Sequence, residues 1–310
     1  MTKFLLDSGD PDEFREISAL AKKNGAILWS ATTNPTLIAK KLVNKKVSQQ
    51  EAFQLQKQIV LEIISIVPGA VSAEVYADAN TTAEEMIIQG KDIATWHERV
   101  IVKLPTTIEG FKARSTLRKA NIPINNTLVF SQEQIFAICL HEKIMSSEAR
   151  SRSAGEKSEN SWPCFISPFV GRLDDIQIDG MQLVEHGMKI KEKVFERVPT
   201  GIPWMLVASI RRIEHMQRSI DCGSELITAP AKVYREWFTI SDKQKEISNK
   251  DYAKDFAPIP YWEPSKELLE IETEEAFFEA ISSGKLNIQH DLTDKGITRF
   301  AEDWKAIIAM

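Results

Sequence analysis

Short apolar runs recur along the chain, and each is followed by a longer segment whose apolar positions repeat at helical spacing. The runs at 3–8, 26–32, 71–77, 100–105, 123–130, 164–170, 203–209 and 226–230 read as strands. Helix starts follow closely. Asp10-Pro11-Asp12-Glu13 supplies a cap residue, a proline at the first helical position and a Glu two residues on. Thr81…Glu84, Thr106…Glu109 and Ser131…Gln134 have capping-box spacing just after the third, fourth and fifth strands. Ser48…Glu51 opens a long apolar-periodic segment that runs to Val67, and Gly223 stands where a helix should stop.

Eight such units predict a (β/α)8 TIM barrel. An open doubly wound sheet is the alternative. Neither a GxGxxG nor a GK[ST] phosphate loop occurs, which removes the commonest reasons for that sheet. The expected organisation is one domain over residues 1–310, with the barrel core at about 1–240 and an extension at about 241–310. Two stretches break the alternation. Residues 146–160 are polar and Ser-rich and read as a mobile loop on the face opposite the strand C-termini. Residues 241–290 carry Pro258, Pro260 and Pro264 beside Tyr261 and Trp262, then a helical pattern, and read as an excursion across the surface. A last amphipathic helix, near 294–308, is expected to pack back onto the barrel.

Composition narrows the function classes. The 310 residues are 43% hydrophobic and carry a net charge of -5, so no broad basic surface invites nucleic acid. No apolar run reaches membrane-spanning length. Cys139, Cys164 and Cys222 are far apart and make no CxxC or Cys/His ligand pair, so no metal site is expected. The first strand begins almost at Met1, and a cytoplasmic protein without a signal peptide is the expectation.

Barrel chemistry sits at the C-terminal ends of the strands. Polar residues gather there: Asp7, Thr33 and Asn34, Glu74, Lys103, Asn125 and Thr127, Ser167 and Arg172, Ser209 and Arg211. Lys103 is the most telling, late in the run Val100-Ile101-Val102-Lys103-Leu104-Pro105. Burying an unpartnered ammonium is costly, whereas a neutral amine attacks carbonyls. Period-two alternation sets Ile101, Lys103 and Pro105 inward and Val100, Val102 and Leu104 toward the helices.

Each residue also has an ordinary reading. A strand-end lysine is most often solvated. Asp7 is also a turn or cap residue, Asn34-Pro35 an ordinary turn, and Arg172 a partner for Asp174 or Asp175. Arg211 and Arg212 could open a helix in solvent. Glu74 is harder to dismiss, because a carboxylate inside a short apolar strand needs a partner. The five histidines (His97, His141, His186, His215, His290) form no motif and read as helix or surface positions.

In this order and company the segments resemble the transaldolase family of class I aldolases. They are Phe4-Leu5-Leu6-Asp7-Ser8, Ala31-Thr32-Thr33-Asn34-Pro35-Thr36-Leu37-Ile38, Val71-Ser72-Ala73-Glu74-Val75 and Val102-Lys103-Leu104-Pro105. Asn125-Asn126-Thr127-Leu128-Val129-Phe130-Ser131, Ile166-Ser167-Pro168-Phe169-Val170-Gly171-Arg172 and Ala208-Ser209-Ile210-Arg211 continue the match. The resemblance implies that Lys103 forms a Schiff base with a ketose phosphate and that Asp7 is the general acid/base of carbon–carbon cleavage. It implies that Glu74 and Thr127 position the water of imine formation. Asn34, Asn125 and Ser167 would hold substrate hydroxyls and the dihydroxyacetone unit, and Arg172, Ser209 and Arg211 the phosphate.

The implied activity is transfer of a dihydroxyacetone unit between sugar phosphates in the non-oxidative pentose phosphate pathway, without cofactor and in a homodimer. Fructose-6-phosphate aldolases in the same group typically carry Gln at the Glu74 position and Tyr at the Phe169 position, and this chain has the transaldolase residue at both. Ser30, where many relatives have Asp, departs from the pattern. An aldolase on the same fold and a non-catalytic sugar-phosphate-binding barrel are the alternatives. A metal-dependent aldolase lacks a ligand cluster.

Overall fold

The computed structural model describes residues 1–42, 46–152, 162–196, 201–241, 244–245 and 252–308. Eight parallel strands close into a barrel in chain order. They are β1 Lys3–Asp7, β2 Leu28–Thr32, β3 Val71–Glu74, β4 Val100–Pro105, β5 Ile124–Val129, β6 Phe165–Pro168, β7 Trp204–Val207 and β8 Leu226–Ala229. Closure is direct, since Lys3 to Leu6 of β1 pair in register with Leu226 to Ala229 of β8. The (β/α)8 expectation holds and the open sheet is excluded.

Helices alternate with the strands: α1 Pro11–Lys23, α2 Pro35–Lys41, α3 Gln49–Ile66, α4 Ala83–Ala94, α5 Ile108–Lys119, α6 Gln132–Arg152, α7 Val170–Asp174, α8 Gly180–Phe195, α9 Ile213–Asp221 and α10 Ala231–Trp237. The Ser48/Glu51 capping box forms, and Ser131 and Gln134 exchange the same pair of bonds. The other two start one residue later than their spacing suggests, because the expected hydroxyl is engaged elsewhere. Thr81 Oγ1 bonds Asp78, leaving Thr82 to form the box with Glu85. Thr106 Oγ1 donates to Thr127 O at 2.8 Å, and Thr107 caps α5.

The loop expected at 146–160 needs correction over its first half. Helix α6 continues to Arg152, through the good helix formers Glu148, Ala149 and Arg150. Residues 153–160 lie outside the described residues.

After α10 the chain crosses the surface, with short helices α11 Lys266–Leu269 and α12 Glu274–Ser282 and a final helix α13 Asp291–Lys305. Helix α13 starts earlier than its apolar periodicity indicates, because His290 Nδ1 accepts from Leu292 N–H at 3.1 Å and acts as the cap. It lies across the strand C-termini. Thr293 Oγ1 donates to Leu128 O at 2.9 Å, Asp303 accepts from Thr36, and Lys305 reaches Asp78 at 3.0 Å. Among the described residues no helix is long and apolar enough to cross a membrane.

The strands sort their side chains by alternation. Val100, Val102 and Leu104 join the core under the helices, while Ile101 meets Leu5, Phe165, Leu206 and Leu226 inside the barrel. Each such buried side chain contributes about 1.5–3 kcal/mol. Trp29, Trp162 and Trp204 pack beneath this layer, with Lys3 Nζ 4.1 Å from the Trp29 ring centre. One alternation step up, Leu5 gives way to Asp7, Ile101 to Lys103, Phe165 to Ser167 and Leu226 to Thr228. The barrel therefore changes from apolar to polar along its axis, and the chemistry stands at its upper end.

Candidate active site

Strand register sets Glu74, Lys103 and Asn125 side by side on β3, β4 and β5. Lys103 is 3% exposed, so it is not the solvated lysine of the ordinary reading. Its Nζ lies 3.0 Å from Glu74 Oε2 and donates to Thr33 O at 3.1 Å. The nitrogen thus meets polar partners above the apolar layer rather than an apolar wall. Burial pushes the Glu74 carboxyl above the usual range, the Asp7 charge adds to that, and Lys103 opposes it.

Asp7 closes β1 and keeps partial access to solvent. Its Oδ1 accepts from Thr32 Oγ1 at 2.7 Å, and Thr32 Oγ1 also contacts Thr228 Oγ1 at 2.7 Å. Burial of the surrounding site raises the Asp7 carboxyl, against the pull of Lys103, Thr32 and Arg211. Two carboxyls held above their ordinary values share the field of one lysine, an arrangement that suits groups which take and return protons.

Asn125 is fully buried. Its amide donates to Ser72 Oγ at 3.0 Å, and Ser167 Oγ donates to its carbonyl oxygen at 2.6 Å. Thr127 stands one alternation step above Asn125, and its buried Oγ1 has no protein partner among the described residues. A buried hydroxyl of that kind calls for a water or a ligand. Asn34 caps α2 by accepting from Leu37 N–H at 3.0 Å, so the ordinary turn reading is satisfied.

Phe169 packs edge-on against Phe130 at 5.7 Å, and the Arg172 guanidinium lies 5.4 Å from its ring centre. Arg172 forms no ion pair with a described carboxylate. Asp174 bonds His215 and Tyr252 instead, and Asp175 bonds Arg211 at 3.3 Å. Burial, then the positive charges of Arg299 and Arg211, hold Arg172 below the usual arginine value. Arg211 pairs with Asp175 and Arg299 lies 3.8 Å from Asp303, which leaves Arg172 as the cation of the three without a described ion-pair partner, and a cation so placed invites an anion. Ser209 has a φ of 59°, and its carbonyl accepts from Gly171 N–H at 3.1 Å. A Cβ at Gly171 would stand 2.2 Å from that oxygen, so the two arginine-bearing turns pack as closely as they do only with glycine there.

Of the eleven candidate positions, Asn125 is early in β5 but level with Lys103 by register, Arg172 lies in α7, and the other nine lie toward the strand C-termini or in the turns just beyond. Sequence reasoning missed Arg299, which α13 carries toward Arg172 past Gly296, where a Cβ would be 2.8 Å from an Arg172 nitrogen. Nothing local to Arg299 signals this, because the approach is made by packing over a long chain separation. It also missed that His141 and His215 are fully buried in polar networks. A cavity of about 650 Å³ opens beside the start of α5, lined by Thr106, Thr107, His290 and Thr293 among others, and none of the eleven lines it. Among the described residues no group of three His, Cys, Asp or Glu side chains could hold a metal ion.

The chain matches the family model described as Transaldolase/Fructose-6-phosphate aldolase over residues 4–310. It is 36% identical over 234 residues to a "Probable transaldolase" of Chlorobium limicola, covering 76% of this chain and 89% of that one. A "Probable transaldolase" of a Thermoanaerobacter strain is 29% identical over 303 residues, 98% of this chain and 97% of the relative. One from Streptococcus agalactiae is 33% identical over 252 residues, covering 81% and 97%.

Proposed function

Because the chain belongs to the transaldolase/fructose-6-phosphate aldolase family, we propose that it is a transaldolase. It moves a dihydroxyacetone unit from sedoheptulose 7-phosphate or fructose 6-phosphate to glyceraldehyde 3-phosphate or erythrose 4-phosphate. The observation that carries this reading is the buried contact of Lys103 with Glu74, with Asp7 in the same electrostatic field.

Lys103 passes its proton toward Glu74 and attacks the C2 ketone as the neutral amine. Water leaves the carbinolamine with a proton relayed from Glu74, and Thr127 Oγ1 holds that water. The protonated imine draws electrons from C3. Asp7 takes the C4 hydroxyl proton, the C3–C4 bond breaks, and the aldose phosphate departs. The electron pair stays on the three-carbon unit as an enamine on Lys103. An incoming aldehyde is attacked by C3, Asp7 returns the proton to the new hydroxyl, and water hydrolyses the imine. These steps ask for no metal or organic cofactor.

Asn125 and Ser167, locked to each other, hold the dihydroxyacetone hydroxyls, with Asn34 at the rim. Arg172 and Arg211 bind the phosphate, and Ser209 offers its hydroxyl there. Phe169 keeps a hydroxyl away from the enamine and so favours transfer over release. The test is a coupled assay with sedoheptulose 7-phosphate as donor, run with and without glyceraldehyde 3-phosphate. Transfer that needs the acceptor is expected. Fast dihydroxyacetone release without it would replace this reading with the aldolase one, and phosphate-ester binding without turnover with a non-catalytic barrel.

A further inference from the structure

Helix α9 begins two residues after Arg211, and its first buried polar side chain is His215. His215 Nδ1 accepts from the Arg211 backbone N–H at 3.2 Å. Its Nε2 lies 2.7 Å from Asp174 Oδ2 and 2.6 Å from the Tyr252 hydroxyl. Asp174 ends α7, two residues beyond Arg172; its Oδ2 also accepts from Tyr252 and its Oδ1 from Gly180 N–H at 3.1 Å. An accepting Nδ1 fixes the tautomer, so Nε2 carries the hydrogen and donates to Asp174. The Tyr252 ring comes from the surface excursion and packs edge-on over His215 at 5.2 Å, with the Arg218 guanidinium 5.2 Å from its centre.

We propose that His215 is a positioning residue for phosphate recognition, with Asp174 and Tyr252 as its supports. It acts through Arg211. The Ser209–Arg211 turn runs through a left-handed serine, a conformation that needs holding from outside. His215 holds its last N–H from beneath. The same Asp174 that orients His215 ends the helix bearing Arg172, so one buried carboxylate ties both arginine turns to a common frame. Tyr252 covers the His215–Asp174 contact and makes the excursion part of the site's support.

The inference rests on the reading of Arg172 and Arg211 as the phosphate end, and its test separates the two. Kd for inorganic phosphate is measured by calorimetry on the full chain, alongside KM and kcat for glyceraldehyde 3-phosphate and for unphosphorylated glyceraldehyde. His215→Ala should weaken phosphate binding and raise KM for the phosphorylated acceptor about tenfold. At saturating donor, its kcat and its KM for glyceraldehyde should stay within about twofold of the parent. His215→Asn keeps an acceptor where Nδ1 stood and should recover most of the loss. Tyr252→Phe, which removes only a hydroxyl, should cost about threefold and serves if His215→Ala fails to fold. Equal losses with both acceptors, or unchanged phosphate binding in every variant, would overturn the inference. Failure of the parent protein itself to bind phosphate would strike the phosphate reading first.

Discussion

Removing the carboxylate from the buried Glu74–Lys103 pair should be more damaging than removing both groups. At 3.0 Å, an effective dielectric of about 20 gives a gross attraction of about 5 kcal/mol. Breaking such a pair from one side typically costs about 3–5 kcal/mol, because the other charge stays buried. Glu74→Gln leaves Lys103 at 3% exposure with only Thr33 O at 3.1 Å, so a loss near 3 kcal/mol is expected. For a chain of this length that is a Tm drop of about 5 °C. Lys103→Met should cost less, because burial already favours the protonated Glu74 carboxyl and the group can take a proton. Lys103→Met/Glu74→Gln removes both charges and should sit within about 1 kcal/mol of the parent. Urea denaturation of the four proteins at pH 7.5 closes the cycle, and a coupling energy of about 2–3 kcal/mol is predicted. Additivity within about 0.5 kcal/mol would show that the two groups do not share a dry contact, and the proton-relay role of Glu74 would go with it.

Asp7→Asn should cut transfer about 10²–10⁴-fold yet stabilise the protein at neutral pH. The Asp7 pKa is raised on folding, so the folded state binds the proton more tightly and wild-type stability falls as pH rises from 3.8 through the raised value. The advantage of Asp7→Asn should therefore grow across that window and level off above it; a pH-independent difference would contradict the raised Asp7 carboxyl. Arg172→Ala removes a charge-assisted phosphate contact of about 1.5–3 kcal/mol and should raise KM for phosphorylated substrates about 10–100-fold. Similar loss with dihydroxyacetone and unphosphorylated glyceraldehyde would argue against a phosphate role. Phe169→Tyr should increase free dihydroxyacetone from fructose 6-phosphate, measured by a reductase-coupled assay; no increase would remove Phe169 from the choice between transfer and release.

The barrel was legible because strand and helix periods alternate cleanly and the first five βα junctions carry cap residues, whereas the helices after β6, β7 and β8 start without a side-chain cap. What escaped was set by which hydroxyl a neighbour captures. Thr81 and Thr106 have capping spacing, but Asp78 and Thr127 O take their side chains first. The inward placement of Lys103 followed from alternation alone, whereas its partner Thr33 O is a backbone group that no side-chain pattern announces. Arg299 and His215 were unreadable for a related reason. One arrives on a helix that only tertiary packing lays across the barrel mouth, and the other meets a main-chain N–H and a tyrosine from the surface excursion.

The most direct test of the central claim is borohydride reduction in the presence of fructose 6-phosphate, followed by peptide mass analysis. The account predicts irreversible inactivation with one dihydroxyacetone-derived adduct on the peptide containing Lys103, and no adduct in Lys103→Met. An adduct on any other lysine, or full transfer activity in Lys103→Met, would contradict it.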